Sequence, residues 1–61
     1  MQLVYTGTDK PVQVGDVVHL LNRPYYIRWI AAHEECVGLV SMDERKLNRE
    51  VPAWKIRAYL D

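Results

Sequence analysis

The chain has 61 residues, 49% of them apolar and 26% charged, with eight Lys and Arg set against eight Asp and Glu. That length holds one small core and no second compact unit, and the composition is that of a folded globule, neither disordered nor membrane-spanning. A formal net charge of zero argues against histone-like or tail-like binding of polyanions. Cys36 is the only cysteine, so no disulfide within the chain can staple the core, and a reducing compartment is expected. The first ten residues lack the basic start and apolar run of a secretion signal, and no window approaches the roughly 20 apolar residues of a transmembrane helix. The expectation is a complete, soluble, cytoplasmic chain.

Gly7, Pro11, Gly15, Pro24, Gly38 and Pro52 divide the sequence into segments of strand length. Leu3-Val4-Tyr5 reads as a first short strand and residues 6–11 as a polar loop. From Val12 to Leu21 the chain is rich in β-branched residues, with Gly15-Asp16 marking a tight turn or bulge before a strand over 17–21. Asn22-Arg23-Pro24 reads as a hairpin connection into a strand over 25–32. Alternation along that strand puts Tyr25, Ile27, Trp29 and Ala31 on one face and Tyr26, Arg28 and Ile30 on the other. Only Arg28 on the second face is firmly polar, so that face is half covered or offered to a partner. His33-Glu34-Glu35 reads as a polar turn and 36–42 as another strand, in which Gly38 permits a bend or a close backbone approach.

Two readings of residues 43–50 stay open. One is a charged hairpin loop flowing into a strand at Arg49-Glu50-Val51; the other is a short helix, for which Ser41 and Glu44 have capping-box spacing. Val51-Pro52-Ala53-Trp54-Lys55 reads as a strand end followed by one helical turn with Pro at its first position. Beyond it Ile56, Ala58 and Leu60 alternate against Arg57, Tyr59 and Asp61 as in a last strand, although a terminal helix from Pro52 also fits the spacing. Short strands with no room for crossover helices make an all-β antiparallel meander, and one this small must curl on itself to bury a face. The expected fold is a five-stranded small barrel with a single helical turn before the last strand; the alternative is a β-meander ending in a short helix.

On Val14-Gly15-Asp16-Val17-Val18, the hairpin at Asn22-Arg23-Pro24-Tyr25 and Val51-Pro52-Ala53-Trp54-Lys55-Ile56, the chain resembles the SH3-like small barrels. The last segment looks like the helical turn such barrels place between their final two strands. In those domains an aromatic residue of that turn and others from the loops line a peptide groove. The resemblance therefore implies a groove near Trp54, with Tyr5 and Tyr25. The loop between the first two strands carries no acidic cluster of the kind that recognises basic, proline-rich ligands.

Chemistry finds little support in the residue pattern. His33 and Cys36, with His19, are too few and wrongly spaced for a structural zinc site, and a Cys–His dyad across a tight turn would not converge. The glycines lie too far apart for a phosphate loop. Neither enzyme activity nor a cofactor or metal is expected. The aromatic residues, Tyr5, Tyr25, Tyr26, Trp29, Trp54 and Tyr59, include no Phe, so each carries a polar handle suited to a binding surface. Trp29 is expected as the main core residue, with tyrosines around the rim.

The expected protein-binding surface is Tyr25, Tyr26, Trp54 and Tyr59, with Arg28 at its edge. This is the pattern of a non-catalytic protein-interaction module, a small regulatory or accessory protein of bacterial or phage type. The alternative is a nucleic-acid-binding barrel that uses Arg49, Lys55 and Arg57 with Tyr59 on RNA or single-stranded DNA. Apolar residues outnumber the inward positions of so small a barrel, so some must be exposed, and a homodimer would add buried area.

Overall fold

A computed structural model describes all residues, 1–61. Six strands are joined without any α-helix: β1 (Leu3–Tyr5), β2 (Val17–Leu20), β3 (Arg23–Ala31), β4 (Cys36–Ser41), β5 (Asn48–Pro52) and β6 (Ala58–Leu60). Single 3-10 turns lie at Ala32–Glu34 and Ala53–Ile56. No helix is long and apolar enough to cross a membrane.

The strands make two antiparallel sheets. The segments β2, β3, β4 and β5 form a meander in that order, while β1 pairs with β6. This differs from the expected five-stranded barrel in two ways: there are six strands, and the sheets do not close on each other through hydrogen bonds. The 3-10 turn at Ala53–Ile56 ends at Arg57 in the left-handed region and breaks the chain between β5 and β6, and residues 6–16 separate β1 from β2. The turn and the following strand replace the alternative of a terminal helix.

Alternating apolar residues of both sheets face each other across one core. Leu3, Val18, Leu20, Tyr25, Ile27, Val37, Leu39, Val51, Ile56 and Ala58 pack in a single cluster that Val12 and Ala53 complete. Residues 6–16 fold against it. An isolated bridge joins Val4 to Pro11, and the Val12 amide donates to the Leu3 carbonyl (2.9 Å). The Gly15-Asp16 turn needs a positive φ at Gly15 (98°), which glycine adopts without steric cost. Asp16 then anchors the loop, accepting from the Tyr5 hydroxyl (2.7 Å) and the Gln13 amide (3.0 Å) on one carboxylate oxygen.

The hairpin between β2 and β3 turns at Leu21-Asn22, two residues with positive φ (52° and 63°), one step earlier than the Asn22-Arg23-Pro24 connection expected. Pro24 is tolerated in β3 because the β3–β4 register stops at Tyr25 and Ser41, so its missing N–H removes no bond from that ladder. Residues 43–47 form a loop, and no helix is present there. The Ser41 hydroxyl closes it by donating to Asp43 (2.9 Å) and accepting from the Leu47 amide (2.8 Å), which takes the place of a helix cap.

The most consequential departure lies in β3. Its pairing with β4 shifts register between Ile27 and Trp29, a bulge at Arg28. An extra residue reverses the in–out alternation beyond it. Tyr25 and Ile27 point inward as expected, but Trp29 points outward and Ile30 packs against the core in its place. Trp29 is therefore 40% exposed and is not the main core residue. Val17 and Leu21 are exposed too, as the surplus of apolar residues required.

Candidate functional site

The residues expected to form one binding surface occupy three places. Tyr25 is 3% exposed and belongs to the core, so it offers no face to a partner. It lines a cavity with Pro24, Ser41 and Asp43. Tyr26 and Arg28 lie on the outer face of the four-stranded sheet. Trp54 and Tyr59 lie at the 3-10 turn and on β6, where they share a cavity.

Local backbone chemistry builds that last place. Pro52, at φ −66° and ψ 150°, is extended and precedes the turn, and the Arg57 amide donates to the Trp54 carbonyl (3.1 Å) to close it. Ala53 and Ile56 point into the core, which leaves Trp54 and Lys55 outside. Trp54 is 70% exposed. The Lys55 ammonium stands 5.6 Å from its ring centroid, within range of a cation–π contact. One further backbone bond decides what faces the indole: the Ala53 amide donates to the Glu35 carbonyl (2.8 Å). This holds the turn at Ala32–Glu34 against the one at Ala53–Ile56.

The result is an open cavity of about 320 Å³ whose walls are Glu34 and Glu35 of the first 3-10 turn and its end, with Pro52, Ala53, Trp54, Ala58 and Tyr59 from the second turn and its flanking strands. The Tyr59 hydroxyl donates to Asp9 (2.6 Å). That bond raises the Tyr59 pKa above its ordinary value, with smaller contributions from burial and from the charges of Asp9 and Asp61. Every charged side chain lining this cavity is acidic. Glu34 and Glu35 were read in the sequence only as a polar turn. Nothing local marks them, because their place in this cavity depends on contact with a segment far along the chain.

The residues of the nucleic-acid alternative also divide. Lys55 and Arg57 flank a cavity with Val18, His19 and Ile56, while Arg49 lines a different one with Arg28, Trp29, Gly38 and Glu50. Tyr59 belongs to neither.

Cys36, 8% exposed, lies with its Sγ 3.9 Å from both Glu34 Oε2 and Glu50 Oε2. Burial first, then the charges of Glu50 and Glu34, push its pKa up and keep it a thiol. His19 lies on β2 and His33 in the first 3-10 turn, and no group of three His, Cys, Asp or Glu is placed to hold a metal ion.

No protein-family model matches this chain, and neither the curated proteins nor the solved structures yield a match.

Proposed function

We propose that the chain is a non-catalytic protein-interaction module on an SH3-like plan, and that it grips a cationic segment of its partner between Trp54, Tyr59 and the Glu34-Glu35 wall. The plan is supported by the element order: an antiparallel meander, a 3-10 turn, then a last strand that returns to pair with the first. The binding role rests on one observation, an indole 70% exposed beside two acidic residues, on a turn whose backbone is bonded on both sides. Aromatic residues held in such positions lose little entropy when a ligand covers them. The acidic charge that SH3-like peptide binders carry in their first loop is supplied here by the β3–β4 turn. The proposed setting is the cytoplasm, in a small regulatory or accessory role of bacterial or phage type.

The test is selection from a peptide library on the immobilised chain, repeated with Trp54→Ala. Lys- or Arg-containing peptides should be enriched by the parent and lost by the variant, whose amide NMR spectrum stays dispersed. Enrichment that survives Trp54→Ala, or that favours acidic peptides, rejects the reading.

A further inference from the structure

We infer that the cavity between β2 and the second 3-10 turn takes a carboxylate of the partner, so that the segment gripped at Trp54 carries an acidic residue beyond its cationic one. That the partner is a peptide with a cationic residue rests on the function proposed above; the anion cavity stands on its own residues. The turn Ala53–Ile56 separates two cavities of opposite sign. Trp54 lines the one that holds Glu34 and Glu35. Lys55 and Arg57 line the other, of about 330 Å³, with Val18, His19 and Ile56, and no acidic residue lines it.

Three donors are available there. The Lys55 and Arg57 side chains are exposed and donate no hydrogen bond within the chain. The third donor is backbone. His19 alternates with core-facing Val18, so its side chain leaves by the other face of β2 and its main chain lines the cavity. Its partner across the hairpin, Pro24, has no N–H and turns its carbonyl to the Met42 amide (3.2 Å) on the β4 side. That pair exchanges no ladder bonds, and the His19 amide points to the free edge of the sheet. Two cations and a free amide suit an anion.

Charge on the other side of Trp54 decides which anion. A nucleic-acid strand, with a phosphate on every residue, would press negative charge against Glu34 and Glu35 as well. A peptide bearing both signs meets an opposite charge at each end. The four-residue turn is about 8 Å long, so about three extended residues separate the two charges.

The test titrates the ¹⁵N-labelled chain with peptides on one Gly-Ser frame that carry a Lys pair, a Glu pair, or both pairs about three residues apart in either order. The Glu-pair peptide should shift the His19 and Arg57 amides, and salt should reverse those shifts. One order of the two-pair peptide should bind about fivefold tighter than the Lys-pair peptide. Arg57→Gln, which leaves Lys55 over Trp54, should abolish that gain and leave Lys-pair binding unchanged. The anion cavity is overturned if the Glu-pair peptide leaves His19 and Arg57 unmoved, if neither order gains, or if the gain survives Arg57→Gln. Tighter binding of an oligothymidylate than of any peptide would assign the cavity to phosphate and overturn it too. A Lys-pair peptide silent at Trp54, beside a Glu-pair peptide that shifts His19 and Arg57, rejects the Trp54 grip and upholds the cavity.

Discussion

The indole of Trp29 fills the space that a side chain at Gly38 would occupy; a Cβ built there would overlap its pyrrole ring. The two residues are direct partners in the β3–β4 ladder, so the contact is built into the register. Gly38→Ala should therefore force the indole off the sheet and cost about 1–3 kcal/mol. On a Trp29→Ala background the same change should cost little, because the clash is gone and Gly is a poor strand residue. Urea unfolding of the four species measures the coupling, and costs that add within about 0.5 kcal/mol would refute it.

Tyr5 and Asp16 give the fold a dependence on alkaline pH. Burial, then the bond to Asp16 and its negative charge, raise the Tyr5 pKa well above the ordinary tyrosine range. In the unfolded chain the phenol ionises near pH 10 while in the folded chain it stays protonated. The stabilisation is thus fully present below about pH 10 and is lost as pH rises toward the folded value. Tyr5→Phe should lower stability by about 1–2 kcal/mol at pH 7 and make the alkaline decline shallower. Thermal unfolding at several pH values reads both effects.

The β2–β3 hairpin holds a leucine where leucine is strained. Leu21 has φ 52° and is 81% exposed, so it carries the cost of a left-handed conformation with no packing in return. Leu21→Asn should stabilise the chain by about 1 kcal/mol, since Asn tolerates that region. An unchanged or lowered denaturation midpoint would mean that the side chain contributes more than its exposure indicates.

Cys36 should react slowly with a disulfide reagent at pH 8, because burial and two carboxylates keep it protonated and covered. We expect the rate to rise at least about tenfold in denaturing urea and to rise moderately in Glu50→Gln. Fast labelling of the folded chain would place the thiol at the surface.

Much of the fold was legible because its punctuation is local. Gly15-Asp16 announced the entry to β2, and Pro52-Ala53-Trp54 announced the last turn, since backbone preferences act within a few residues. What escaped was anything that depends on pairing. Alternation from Tyr25 carries Trp29 inward, and only the register with Gly38 shows that a bulge intervenes; Gly38 was read as allowing close approach, but not by Trp29. The SH3-like resemblance implies Tyr25 at a groove, yet its place beside Ile27 on the inward face of β3 buries it in the core. In the same way Glu35 meets Ala53 only in three dimensions. So the aromatic half of the candidate site was visible in advance, and its acidic half was not.

The pairing of the outermost strands also determines how the fold meets mechanical force. Leu3 lies opposite Leu60, and the Asp61 amide donates to the Gln2 carbonyl (2.8 Å), so residues 2 and 61 sit side by side at one end of the two-stranded sheet. Tension drawing those residues apart acts across the ladder and loads its bonds one after another, beginning at Gln2. β1 and β6 would unzip at low force, while the four-stranded meander, which the pull does not cross, would be strained only after they had parted.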